Sequence, residues 1–322
     1  MDHILDFEKP VSEIEDKICE LKAASKGQDI DISKEIEALQ KKADRMIREI
    51  YSSLTPWERV QLSRHPARPH AVDFIKALIG DFHEVHGDRR FQDDRAMICG
   101  FGRMGDFPVA VVAIEKGRNT KEKITHNFGM PNPEGYRKAL RVMELAARFS
   151  IPIISFVDTP GAYPGIEAEK RGQSQAIAEN LQEMFGLKTP IVAVIIGEGG
   201  SGGALGVAVA DRAYMMEYSI YSVISPESCA SILWADPKRA KEAANSLKLG
   251  PLKAYEWGVI DGIIPEPLGG AHKNPEESFR VVEEYLKKSL ESLKKIDGEL
   301  LLQKRFEKFR NMGRAALSED TD

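Results

Sequence analysis

The segment Gly197-Glu198-Gly199-Gly200-Ser201-Gly202-Gly203 places five glycines in seven residues directly behind the apolar run 190–196. An uncharged run rich in β-branched residues reads as a buried strand. Glycines after it let the main chain approach another backbone or a ligand closely. A helix that follows offers unpaired N–H groups and a partial positive charge in its first turn. A junction of this kind belongs to an α/β core. It suits an anion, including an oxyanion that exists only during reaction. A tight turn that needs glycine for packing explains the same residues.

The remainder alternates in the same way. Residues 95–103 and 108–115 are apolar runs joined by Gly105-Asp106, a hairpin signal. Asn132-Pro133-Glu134 opens a helix that runs through Phe149, and strands are expected at 151–157, 190–196, 213–217 and 221–225. Helices are expected at 167–185 and 204–211, and an amphipathic one at 275–296 carries Phe279, Val282, Leu286, Leu290 and Leu293 on one side. Thr55-Pro56-Trp57-Glu58 is a capping box with proline in the first turn; it starts a helix to about Arg64, and another is expected over roughly 70–83.

The first 54 residues differ. Phe7, Val11, Ile14, Ile18 and Leu21, then Ile32, Ile36, Leu39, Ala43, Met46 and Ile50, follow heptad spacing on two helices with a turn at 25–29. The expected organisation is a helical hairpin over 1–54 serving as an assembly arm, a catalytic core over 55–274, and a C-terminal helix with a polar tail over 275–322, the tail being residues 318–322.

Bulk properties narrow the function. A net charge of −5 argues against a nucleic-acid binder. Cys19, Cys99 and Cys229 form no paired motif, so neither a disulfide framework nor a zinc site is expected, and a reducing cytoplasm fits. The N-terminus lacks an apolar h-region and every apolar run is short, which argues against a secretory signal and a membrane span.

Three further patterns overlap the glycine run or flank it. Residues 197–202 match G-x-G-x-x-G with Glu217 downstream, a dinucleotide fingerprint, although the expected helix is short for that unit. Residues 199–203 match G-x-S-x-G with Ser201 as nucleophile; Asp261 and His272 follow in an order a triad permits, but His272 lies in a turn-like stretch. No Lys-Ser or Lys-Thr follows the last glycine, which excludes a P-loop. A second loop, residues 158–165, follows the expected neighbouring strand and carries Gly161, Ala162 and Tyr163. Two such loops at adjacent strand ends can aim one N–H each at a single oxygen, or can be stacked turns. Residues 116–123 hold Lys116, Arg118, Lys121 and Lys123, which are either anion contacts or a solvated basic loop.

At these loops the chain resembles the alpha-subunit family of bacterial and plastid acetyl-CoA carboxylase carboxyltransferases. The matching stretches are LDFEKP (5–10), KGRNTKEK (116–123), NFGMPNPEGYRKALR (127–141), DTPGAYPG (158–165), RGQS (171–174), IGEGGSGGALG (196–206), YSVISPESCASILW (221–234) and IIPEPLGGAHKNP (263–275). The resemblance implies a crotonase-like (ClpP/crotonase) fold of β-β-α units in a superhelix. It implies an α2β2 heterotetramer whose active site lies between alpha and beta subunits, with a zinc ribbon on the beta subunit and no metal in this chain. Biotin, on a biotin carboxyl carrier protein charged by biotin carboxylase, meets mainly the alpha side. Acetyl-CoA meets mainly the beta side, and the product is malonyl-CoA for fatty acid biosynthesis; a related carboxyltransferase with a longer acyl substrate is the alternative. By the same resemblance, Gly202 and Gly203 form the biotin-side oxyanion site, opposed by Gly161 and Ala162. Gly199, Gly200, Ser201 and Tyr163 shape the biotin loop, which makes Ser201 a loop residue.

Overall fold

The computed structural model describes residues 3–25 and 32–314. The centre of the turn expected at 25–29 and the tail expected at 318–322 lie outside the described residues. Eight strands form one sheet: β1 (Gly80–Glu84), β2 (Met97–Met104), β3 (Phe107–Ile114), β4 (Ile153–Thr159), β5 (Ile191–Gly200), β6 (Arg212–Met216), β7 (Ile220–Ser222) and β8 (Gly262–Ile264). Their order is β1-β2-β3-β4-β5-β6-β8, with β7 paired to the far end of β5. The first two pairings are antiparallel and the others parallel.

The central strands are buried on both faces, which explains their unbroken apolar runs. Alternate residues feed two cores. Ile153, Val157, Ile191, Ala193 and Ile195 pack beneath the helices Pro133–Arg148 and Gln173–Gly186. Ile154, Phe156, Val192, Val194 and Ile196 face the helices Ala71–Leu78 and Pro275–Leu293. Parallel pairing from β3 through β5 sends all three carboxyl ends to one edge of the sheet, where ligands of open α/β sheets bind.

Several expectations change. The helix expected over 70–83 ends at Leu78, and Gly80–Glu84 pairs with β2 as an exposed edge strand whose polar residues gave no alternating signal. The helix expected at 167–185 breaks at Gly172, whose φ of 83° is left-handed, into Ile166–Lys170 and Gln173–Gly186. β5 continues through Gly200, so half of the glycine run is strand, and the helix expected at 204–211 is instead Ser201–Leu205. The helices Pro226–Trp234, Ala240–Leu247, Pro251–Glu256 and Gly298–Asn311 went unread. Among the described residues, no helix is long and apolar enough to cross a membrane.

The helices Lys9–Ala24 and Ser33–Ser52 pack antiparallel through Val11, Ile14, Ile18, Ile36, Leu39, Ala43 and Met46, the expected seam. Their open end is fixed to the core. Tyr51 Oη lies 2.6 Å from Glu8 Oε1 and 2.9 Å from Gly269 O, its one proton serving one of them, and Leu5 N–H donates to Glu8 at 3.1 Å. Burial pushes the Glu8 carboxyl up, but His272, Tyr51 and the Leu5 N–H outweigh it and hold the group at about 2. A lowered carboxyl stabilises the fold above its unfolded value, and that contribution fades as pH falls from 4.5 toward about 2. Glu8→Gln is therefore expected to melt lower than the parent near neutral pH and to lose less of its melting temperature across that acid window; parallel thermal melts check both points.

At the other end of the chain, buried Arg305 pairs with Asp211 through Nε (2.9 Å) and Nη2 (2.7 Å), and donates to the carbonyls of Met184, Leu187 and Thr189. Removing one partner of a buried, hydrogen-bonded pair strands the other charge. Arg305→Met is expected to cost about 3–5 kcal/mol of stability, measured by chemical denaturation.

Candidate active site at the carboxyl ends of two central strands

β4 and β5 run in register as far as Val157 and Ile195, and then shift so that Thr159 opposes Gly199. The shift brings the two glycine-bearing segments into backbone contact. A Cβ on Gly200 would lie 2.2 Å from Pro160 O, and one on Gly203 would lie 2.3 Å from Ala162 N and 2.5 Å from Gly161 C. No side chain fits either place. Tyr136 Oη, buried below, donates to Gly203 O at 3.0 Å and fixes the height of the second segment.

Unpaired donors collect at this contact. Gly200 caps the helix Ser201–Leu205 without a side chain, so the N–H groups of Ser201, Gly202 and Gly203 have no intrahelical acceptor. Across from them, Gly161 N–H donates to Thr159 Oγ1 at 3.0 Å and Tyr163 N–H donates to Pro131 O at 3.0 Å. Ala162 N–H, between the two, has no acceptor among the described residues. Gly202 stands in freer space, where a Cβ would meet nothing closer than Ile177 at 3.8 Å. Backbone donors on two sides of a small opening can hold an oxyanion.

Around this centre, Gly199 lies under the Tyr221 ring and Tyr163 folds its own ring over Gly165. Gln173 Nε2 donates to the carbonyls of Pro131 (2.8 Å) and Tyr163 (2.9 Å), bracing the 158–165 loop. Ser201 is exposed with a left-handed φ of 53°. The serine triad is not assembled. Asp261 accepts from Ala213 N–H, Arg212 and Lys308, whereas His272 stacks on His65 and faces Glu8 at 3.7 Å. The dinucleotide reading also fails: G-x-G-x-x-G starts inside a strand, and Glu217 accepts from Glu266 N–H.

The four cations of 116–123 separate. Lys116 Nζ lies 2.7 Å from Asp158 Oδ1 and 2.5 Å from Glu198 Oε2, so its charge is already met. Burial lowers the proton affinity of Lys116, but Asp158 and Glu198 reverse this and hold it firmly charged. Arg118 pairs with Asp73, away from the glycines. Lys121 is exposed, while Lys123, with Phe128, Pro160 and Lys116, lines a cavity of about 250 Å³ beside the loops. Arg64 extends the network to Glu198 (2.6 Å) and Glu227 (2.6 Å). Asp158, Glu198 and Arg64 were missed in the sequence. For Asp158 and Glu198 the signal is a charged residue at the end of an apolar run, where nothing in a strand pattern calls for one; Arg64, which caps the helix Pro56–Ser63, carries no such signal.

Gly203→Val must part the two segments, and is expected to lower both the melting temperature and turnover, the latter on the order of 10²-fold. Gly202→Ala is expected to keep its melting temperature while turnover falls, because the methyl stands beside the unpaired amide. Melts and steady-state rates on both variants separate fold from site.

The family model described as "Acetyl co-enzyme A carboxylase carboxyltransferase-like" matches residues 4–313. "Acetyl-coenzyme A carboxylase carboxyl transferase subunit alpha" of Brucella ovis is 50% identical over 315 residues, 98% of this chain and 99% of that one. The protein of the same name from Thioalkalivibrio sulfidiphilus is 51% identical over 309 residues, 96% of this chain and 97% of that one. Among solved structures, transcarboxylase 12S superposes with a TM-score of 0.56 at 20% identity, covering 69% of this chain and 42% of that one. The beta subunit of P. aeruginosa geranyl-CoA carboxylase gives 0.54 at 17% identity, covering 77% and 46%. These likenesses establish the crotonase-like fold. By its sequence over nearly its whole length, the chain belongs to the acetyl-CoA carboxylase carboxyltransferase family.

Proposed function

We propose that this chain is the alpha-type subunit of a biotin-dependent carboxyltransferase that makes malonyl-CoA from acetyl-CoA in the cytoplasm. The observation that carries the reading is the backbone contact of Gly203 with Gly161–Ala162, which leaves unpaired N–H groups on both of its sides. Carboxybiotin, carried on a biotin carboxyl carrier protein charged by biotin carboxylase, supplies the activated carboxyl group, and its loss leaves negative charge on the ureido oxygen. The N–H groups of Gly202 and Gly203 face that charge, and Ala162 N–H closes the opposite side. Gly161 shapes the turn while its own N–H is held by Thr159. One aimed donor of this kind is worth about 3 kcal/mol in the transition state.

Among the described residues no histidine lies in the glycine loops and their carboxylates Asp158 and Glu198 are paired with Lys116, so the chain's part is to bind, orient and stabilise charge. Acyl-CoA binding falls to a zinc-ribbon beta subunit in an α2β2 assembly. Lys123, at the edge of the 250 Å³ cavity, is the candidate anion contact that the fold leaves beside the loops.

The test is the reverse reaction, malonyl-CoA decarboxylation coupled to biotin carboxylation, run on the chain alone and mixed with the beta subunit. Activity in the mixture only is the expected result. Turnover by the chain alone would place both oxyanion sites within it, and silence in both would remove the carboxyltransferase reading.

A further inference from the structure

The charged network under the loops connects the strand ends that carry the donors. Lys116 directly follows Glu115 at the end of β3, Asp158 lies in β4 and Glu198 in β5, so one ammonium joins the carboxyl ends of three neighbouring strands. Asp158 Oδ1 also accepts the Glu198 N–H at 2.9 Å, and its carboxylate rests on the β5 backbone, where a Cβ on Gly197 would lie 2.5 Å away. From Asp158 the chain passes through Thr159, whose Oγ1 accepts the Gly161 N–H and lies 2.6 Å from Gly129 O. From Glu198 it passes through Gly199 to Gly200, which touches Pro160. The Lys116 stem itself packs on Gly129, where a Cβ would lie 2.6 Å from Lys116 Cγ. A shift at Lys116 is thus handed to both donor segments over a few peptide bonds.

The buried part of the network carries equal charge of both signs, with Glu227 added at its rim. Lys116 and Arg64 carry two positive charges against the two carboxylates of Asp158 and Glu198, and the partly exposed Glu227 takes the remaining contact of Arg64. Lys116 Nζ already has two carboxylate partners and its side chain is 16% exposed, which fits an internal tie rather than a substrate contact.

We propose that Lys116 is a positioning residue for carboxyl transfer: its ion pairs with Asp158 and Glu198 set Ala162 N–H against the N–H groups of Gly202 and Gly203, without touching substrate. The proposal rests on the carboxyltransferase reading above, and its test has one arm that does not. The paired variant Lys116→Met/Asp158→Asn removes one charge of each sign and leaves Glu198 with Arg64. In the assembled enzyme, kcat is expected to fall on the order of 10²-fold while KM for malonyl-CoA stays within about twofold. In the full chain alone, hydrogen exchange is expected to accelerate at residues 159–163 and 199–204. Lys116→Arg keeps the charge on a larger, planar head; it is expected to keep the parental melting temperature and to recover most of the lost kcat.

A parental kcat in the folded paired variant, or unchanged exchange at both segments, overturns the proposal. So does a Lys116→Arg enzyme with raised KM and parental kcat, which would make Lys116 a substrate contact. If the paired variant does not fold, Asp158→Asn, which removes one of the two ion pairs and keeps an acceptor for the Glu198 N–H, is read by the same kcat and exchange criteria. If the parent enzyme transfers no carboxyl group, the carboxyltransferase reading falls, and the exchange arm still shows whether Lys116 sets the two segments.

Discussion

Two main chains touching without side chains between them govern this molecule's candidate site. Gly200 lies on Pro160 O and Gly203 on the Gly161–Ala162 peptide, at separations where any Cβ would overlap backbone. The contact needs neighbouring parallel strands, because only then do the ends of β4 and β5 emerge side by side. It needs the register shift after Val157, which lets the loop of one strand slide beneath the end of the other. It also needs apolar residues on both faces of both strands, since helices must cover the sheet for the edge to hold its shape. The two packed cores and the sheet order therefore serve one short backbone approach.

Electrostatics follow from the same approach. Donors act strongly on a developing charge only where water is scarce and the donors need not reorganise. Unbalanced charge under the loops would raise the cost of burial and impose its own field. Here two cations and two carboxylates meet at 2.5–2.7 Å beneath the strand ends. Burial raises the Glu198 carboxyl, and Lys116 with Arg64 more than reverses it, so the group stays ionised. Backbone donors do not titrate, which suits a site that must stabilise negative charge without supplying a proton.

What could be read in the sequence was what has a period or a fixed spacing. The heptad seams of the arm, the Thr55–Glu58 capping box, the β2–β3 hairpin and the buried strands all follow from local pattern. Gly80–Glu84 was missed because an exposed edge strand has no apolar face to show. The break at Gly172 was missed because a single left-handed glycine inside a helical pattern gives little sign of itself. The glycine run was recognised as special, but its division into strand and helix depends on β7 pairing with Glu198–Gly200, a tertiary contact. The same holds for Lys116. Its neighbours Arg118, Lys121 and Lys123 made it look like one member of a basic loop, and only the arrival of Asp158 and Glu198 sets it apart.

The surroundings of the loops bear on how the site is completed. Ile166 follows the 158–165 loop, Leu205 ends the helix that begins at Ser201, and Val223 follows the strand that pairs with Glu198–Gly200. These three apolar side chains are 71%, 39% and 76% exposed. Scattered apolar residues are ordinary on a surface, but each of these is attached to an element that builds the donor site. Water at that rim would weaken the amides' hold on a developing charge, and apolar side chains there favour its exclusion once another surface closes over them. The candidate site thus combines backbone donors with an exposed apolar margin. Both features support a reading in which the second half of the site arrives on another subunit.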